Sequence, residues 1–159
     1  MSQVRLNPEG FVWKYFRNTD QLGQARLTAM RTFLADFERG KPEGRYVTAS
    51  LPSLPFGAGQ FDIALCSHLL FLYTDQLSLE FHRASIEELL RVAAEVRIFP
   101  LLTLERTRSP HIEPLLSYLA TQGWSTDICS AAYEFQRGGN RMLRIGSADH
   151  APRFAASTE

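Results

Sequence analysis

The segment Phe61-Asp62-Ile63-Ala64-Leu65-Cys66 constrains this chain most, because after its first residues it is apolar without alternation. A strand of that pattern is expected to be covered on both faces, as in a largely parallel sheet. A polar turn, Gly57-Ala58-Gly59-Gln60, leads into it, and Ser67 and His68 follow it. In an open α/β sheet such strand ends are where reactive or ligand-contacting groups emerge.

The surrounding chain has the units that such a sheet needs. Leu22, Ala25, Ala29, Met30, Phe33, Leu34 and Phe37 recur at steps of three and four, which predicts an amphipathic helix lying against a sheet or another helix. Gly40-Lys41-Pro42-Glu43-Gly44 ends that helix, and Arg45-Tyr46-Val47-Thr48-Ala49 reads as a strand. Thr74-Asp75 offers caps for a helix over about residues 76 to 93. Ala94 to Pro100 reads as the next strand, stopped by its proline. Ser109-Pro110 opens a helix with Ile112, Leu115, Leu116 and Leu119 on its apolar face, and Gly123 closes it. Strands near 125–131 and 142–145 flank Gln136-Arg137-Gly138-Gly139-Asn140, the expected tight antiparallel turn. The domain reading is an N-terminal helical segment over 1–44, an α/β domain over 45–147 and a flexible tail over 148–159.

Composition limits the function classes. The 159 residues are 45% hydrophobic and 21% charged, which suits one soluble domain with a core. Seventeen basic residues balance seventeen acidic ones, so total charge does not draw the chain to nucleic acid or anionic membrane. No stretch reaches the roughly 18 apolar residues of a membrane helix, and the start carries no apolar targeting segment, so a cytoplasmic location is expected. Cys66 and Cys129 are expected as reduced side chains in apolar surroundings, and their spacing is no metal motif. Trp13 and Tyr15, with Lys14 and Arg17 beside them, are read as core packing in preference to a nucleic-acid stacking platform.

The order of these pieces resembles the C-terminal half of a class I S-adenosylmethionine-dependent methyltransferase. It runs strand, Leu54-Pro55-Phe56 turn, Phe61 to Cys66 strand, long helix, Val96-Arg97-Ile98-Phe99-Pro100 strand, helix and closing hairpin. The resemblance covers about residues 45 to 146. Leu54-Pro55-Phe56 through Asp62 resembles the stretch before that family's fourth strand, and Glu87-Glu88-Leu89-Leu90-Arg91-Val92 the helix leading to its fifth. It implies a partial Rossmann-like sheet, mostly parallel with a C-terminal antiparallel hairpin and helices on both faces. It also implies that Ser50 and Leu51 lie near the adenine of S-adenosylmethionine, and that Cys66, Ser67 and His68 line the methyl-transfer cleft. Catalysis there rests on aligning donor and acceptor, with a base needed only if the acceptor must lose a proton. The family's glycine-rich turn and ribose-binding acid have no equivalent between Met1 and Lys41, where the glycines are Gly10, Gly23 and Gly40.

A chain lacking those strands leaves Phe61 to Cys66 as an apolar sheet edge. The expected remedies are a second copy of the chain, a missing N-terminal methyltransferase segment, or Arg45 to Ala49 moving beside it. The function expected is methyl transfer to a small-molecule acceptor in a completed form, with a noncatalytic dimerising or scaffolding domain as the alternative.

Individual residues keep open roles. His68 is a base, a substrate hydrogen-bonding group or an inert local contact. Ser67 and Cys66 lack the surroundings of a covalent nucleophile. Arg97, between Val96 and Ile98, needs a carboxylate or carbonyls, with Glu87 and Glu88 as possible partners. His82, Arg83 and His111 are expected at the solvent side. Arg106 and Arg108 are surface charge or steer an acidic substrate.

Overall fold

The computed structural model describes residues 8–147; the expected tail over 148–159 lies outside the described residues. A 3-10 turn at Pro8–Gly10 precedes α1, Thr19–Gly40. Then come β1 (Phe61–Ser67), a 3-10 turn at Phe71–Tyr73, α2 (Leu79–Val92) and β2 (Ala93–Phe99). The chain closes with α3 (Ile112–Thr121), β3 (Trp124–Ser130) and β4 (Arg141–Ser147).

The sheet has the order β1-β2-β4-β3. β1 and β2 run parallel, from Phe61 opposite Ala93 to Ser67 opposite Phe99, while β4 is antiparallel to both β2 and β3. The hairpin therefore joins the sheet through its second strand, and β1 and β3 are the edges. Parallel neighbours need a crossover of a dozen or more residues, which α2 supplies.

Local chemistry sets the helix ends. The Asn18 side chain accepts from the Gln21 amide at 2.9 Å to start α1. The Ser78 hydroxyl accepts from the Phe81 amide at 3.2 Å to start α2, displacing the expected Thr74-Asp75 caps. Thr74 instead hydrogen-bonds inward, to the Phe71 carbonyl and the Ser109 hydroxyl, both at 2.7 Å.

One cluster forms the core. Ile86, Leu89 and Leu90 of α2 and Ile112, Leu115 and Leu119 of α3 meet Val96 and Ile98 of β2 and Leu143 and Ile145 of β4. The buried strand residues share one face, since Val96 pairs with Ile145 and Ile98 with Leu143. α2 and α3 lie side by side on that face, with the Tyr118 hydroxyl donating to Glu87 and the Arg83 guanidinium 4.6 Å over the Tyr118 ring. Among the described residues the anticipated cover of β1 on both faces is thus absent. On its other face Phe61 and Ile63 are exposed and Leu65 is 74% exposed, so β1 is an uncovered apolar edge.

The same open face carries the answer to Arg97. Its guanidinium donates to Glu95 two residues along β2, and Arg144 on β4 reaches Glu95 at 3.3 Å and Asp127 on β3 at 3.8 Å. The partner is a same-strand carboxylate, not the helix residues Glu87 or Glu88, because Arg97 faces away from α2.

Residues 45–49 form no strand. Arg45 turns back to Asp36 of α1, with Nη1 and Nη2 at 2.5 and 3.0 Å, and the Tyr46 hydroxyl donates to Asp36 at 2.7 Å. Tyr46 also packs its ring 5.4 Å from Phe33 and 5.1 Å from Phe37. These tethers hold the Asp36 carboxyl far below the usual carboxylate range and bind the segment to α1, leaving β1 without the neighbour it could have provided. Much of the apolar surface of α1 is nonetheless exposed: Leu27, Met30, Phe33 and Leu34 stand largely in solvent, and only Leu22 and Gly40 are buried.

Ile145 is fully buried in the one core, whereas Leu65 stands in solvent. Ile145→Ala is expected to cost about 2–5 kcal/mol, and Leu65→Ser to stay within about 0.5 kcal/mol. Urea denaturation of the two variants measures both, and a costly Leu65→Ser would show that β1 is covered in solution.

Candidate functional site

Parallel pairing brings the C-terminal ends of β1 and β2 to the same rim, with Ser67 opposite Phe99. At that point the chain leaves the ladder. His68 adopts φ 55°, in the left-handed region, while its amide still donates to the Phe99 carbonyl at 2.7 Å. Such a backbone costs a non-glycine residue about 1–2 kcal/mol, and it turns the imidazole back over the strand end. His68 Nδ1 lies 2.8 Å from Ser67 Oγ, and its ring stands edge-on to Phe99 with centroids 5.6 Å apart.

Partial burial, reinforced by the nearby Arg26 charge, lowers the His68 pKa. The imidazole is therefore neutral near pH 7. When Nδ1–H donates to Ser67 Oγ, Nε2 keeps a lone pair and is a base; in the other tautomer the Ser67 hydroxyl donates to Nδ1. Both side chains are exposed, so either arrangement meets an incoming molecule.

The remaining expected site residues lie differently. Cys66 is buried in the core cluster, where desolvation pushes its thiol upward, so only its backbone reaches the rim. Cys129 is half-buried, and both cysteines are free. Ser50 is exposed and bridges to Ser53, and Leu51 packs partly against the core. The residues after them are fastened to α2. The Leu54 amide donates to Glu88 at 2.7 Å, and Arg91 donates to the Phe56 carbonyl at 2.9 Å and the Leu54 carbonyl at 3.2 Å. Arg91 holds the Glu88 carboxyl down to about 2. This clamp sits where α2 feeds the start of β2, at the opposite end of the sheet from His68. The structure thus joins Ser67 to His68 and sets Ser50 and Leu51 on a separate segment.

Aromatic residues extend the His68 rim. Phe99 lies 6.5 Å from Tyr133, and Tyr133 stacks on Tyr15 at 5.5 Å. The Tyr15 hydroxyl donates to the Ala132 carbonyl at 2.9 Å, and Lys14 Nζ lies 5.5 Å from the Tyr15 ring. The N-terminal segment reaches this place by docking on the β3–β4 connection: the Val12 amide donates to the Phe135 carbonyl at 2.8 Å and the Arg137 amide to the Gly10 carbonyl at 3.0 Å. Phe11, Trp13 and Phe16 surround Phe135. That docking makes residues 131–140 a ten-residue connection, longer than the tight turn expected at 136–140. Trp13 packs as expected, while Tyr15 remains 44% exposed.

The histidine placements need correction. His82 is fully buried, not at the solvent side, with Nδ1 2.9 Å from the Ser78 carbonyl and its ring 5.5 Å from Phe71 and 4.8 Å from His111. Its spacing to Ile86 and Leu89 puts it on the apolar stripe of α2, a signal legible in the sequence. His111 is half-buried, with Nε2 3.3 Å from the Leu77 carbonyl. Arg83 is solvent-facing as expected, and Arg108 pairs with Glu113 at 2.5 Å. Among the described residues no group of three or more metal-ligating side chains forms, and no helix is long and apolar enough to cross a membrane.

No family model and no solved structure matches the chain. It is similar to an uncharacterized protein of Methanocaldococcus jannaschii, 34% identical over 135 residues. The match takes in 85% of this chain and 58% of that protein, so the chain spans little more than half the length of the curated relative it matches.

Burial lowers the His82 pKa, and the hydrogen bond to the Ser78 carbonyl offsets this only in part. The unfolded chain takes up this proton near pH 6.5 while the folded form resists it. Stability from this group is complete above that pH and is lost as pH falls toward the folded value. The wild type is expected to lose more melting temperature between about pH 7 and 5 than His82→Phe does. Equal slopes in parallel thermal melts would remove His82 as the cause.

Proposed function

We propose that this chain is the C-terminal half of a class I S-adenosylmethionine-dependent methyltransferase, and that transfer requires a further segment beside β1. The strand order carries the reading. A parallel pair, then a hairpin whose last strand inserts antiparallel beside that pair, is the order in which the resembled family runs its last four strands. The apolar β1 edge supports the need for another strand, and the greater length of the Methanocaldococcus relative supports a longer whole.

Ser50 and Leu51 offer one exposed and one half-buried contact, and the Cys66 thiol faces the core. The contribution of this chain lies on the acceptor side. Ser67 orients the neutral His68 imidazole, which accepts a proton from an acceptor that must lose one, while the rim holds that acceptor in line.

Isothermal calorimetry with S-adenosylmethionine tests this reading. The chain alone is expected to give no saturable heat, and the chain joined to an upstream segment carrying the glycine-rich turn is expected to bind. In that completed protein His68→Ala should lower kcat by about 10²–10⁴-fold for an acceptor that loses a proton. A folded, completed protein that fails to bind the cofactor would overturn the reading.

The exposed Leu65 and the exposed apolar side chains of α1 favour a second reading, a noncatalytic domain that dimerises or scaffolds through β1. Light scattering separates the two: a dimer dispersed by Leu65→Lys, with no cofactor binding in any form, supports the second.

A further inference from the structure

A largely parallel sheet is stable when helices cover both of its faces. Among the described residues this chain leaves one sheet face without a helix and holds one helix away from the sheet. Every residue of α1 from 24 to 35 is exposed, so more than three turns stand clear on all sides. A helix of that length in water owes most of its stability to packing of an apolar face. Leu27, Met30 and Leu34 make such a face at steps of three and four, with 41%, 50% and 55% of their surface in solvent. The ends are fixed. The Asn18 cap and buried Leu22 anchor the start, and Arg45 and Tyr46 hold Asp36 near the finish, so α1 is an arm secured at both ends and bare between them.

The open face of β1 matches this arm in length and in charge. Phe61, Ile63 and Leu65 span about 13 Å at the rise of a strand, and Leu27 to Leu34 span about 10 Å at the rise of a helix. Laid parallel to β1, the arm sets Leu27 by Phe61, Met30 by Ile63 and Leu34 by Leu65. Arg31 and Glu38 lie on the same side of that stripe. In the parallel placement they point toward β2, because a right-handed crossover through α2 puts β2 on that side of β1. There Glu95 neighbours Ile63 and Arg97 neighbours Leu65, so Arg31 approaches Glu95 and Glu38 approaches Arg97. The antiparallel placement turns both side chains away from β2 and forfeits both pairs.

We infer that the partner is a second copy of this chain, and that the two copies exchange arms, each α1 lying parallel to β1 on the open sheet face of the other. Within one chain the anchors at Asn18 and Asp36 hold α1 off that face, and Leu65 stays 74% exposed. Every copy carries both the arm and the face, so a two-fold exchange satisfies both and closes. At about 200 Å² for a large side chain, the six apolar residues leave roughly 600 Å² to be covered on each copy, about 1,200 Å² in the pair, which is the lower end of stable specific interfaces. The inference deepens the dimerising reading by naming the contact. It is independent of methyl transfer, since a strand added beside β1 takes its edge hydrogen bonds and α1 takes its face.

Light scattering of the full chain over a concentration series is the test. A mass of two chains is expected, with a Kd of about 1–100 μM; on dilution below it the chain is a monomer and Leu65 stands in solvent. Leu27→Glu combined with Leu34→Glu spoils only the arm, and Leu65→Glu spoils only the face. Each variant alone should raise the Kd at least about tenfold. Mixed in equal amounts, the two should regain a mass of two chains, because the Leu65→Glu copy brings an intact arm to the intact face of the other. Glu38→Lys should raise the Kd a few-fold, as should added salt. Circular dichroism and thermal melting confirm that each variant is folded. A monomer at every concentration, a dimer that survives either set of substitutions, or a mixture that stays monomeric would each overturn the inference. A dimer sensitive to Leu65→Glu but not to the arm substitutions keeps the dimerising reading and removes the exchange, and S-adenosylmethionine binding in the completed protein decides methyl transfer separately.

Discussion

Parallel pairing of β1 with β2 is the constraint on which the other features depend. Two parallel neighbours leave the chain at the wrong end of the sheet, and α2 returns it. Its apolar stripe, from His82 through Ile86 to Leu89 and Leu90, then selects which sheet face is buried. α3 extends the same layer, so Val96, Ile98, Leu143 and Ile145 all turn one way. What remains on the reverse face is a charge ladder of Glu95, Arg97, Arg144 and Asp127 across the central strands, beside bare Phe61, Ile63 and Leu65. Carboxylates and guanidiniums in alternation make that face compatible with water, whereas β1 has no such provision.

Polar clamps decide where the long connections go. Glu88 and Arg91 hold the backbone of Leu54 and Phe56 against the end of α2, and Asp36 holds Arg45 and Tyr46 against α1. Each clamp satisfies backbone or charged groups that a free loop would leave to solvent, and each involves a carboxylate whose pKa its arginine depresses. The second has the larger structural effect. By committing Arg45 and Tyr46 to α1 it withholds from the sheet the one segment of the chain read as a spare strand.

The rim at His68 follows from the same geometry. A parallel pair presents both C-terminal ends together, the left-handed turn at His68 lifts its ring over Phe99, and the docking of residues 11–16 on the β3–β4 connection brings Tyr15 beside Tyr133. An imidazole, a hydroxyl and a row of rings therefore come from four parts of the chain. The β1 edge lies next to them and is open among the described residues.

The sequence by itself determined the elements whose information is local. Periodicity located α1 and α3, an apolar run located β1, and glycine and proline placed most of the ends, because repeat spacing and backbone restriction act within a few residues. It also placed Ser67 and His68 together, since adjacent residues at a strand end have little choice. His82 was legible too, from its position on the α2 stripe, but the imidazole's polarity outweighed the spacing. Only the tertiary structure decided that 45–49 would be tied to α1, that Arg97 would answer Glu95 on its own strand, that the hairpin would join through β4, and that Tyr15 would meet Tyr133. Those outcomes depend on which distant groups compete for the same hydrogen bonds, charges and ring faces, and that competition is settled only when the chain has closed on itself.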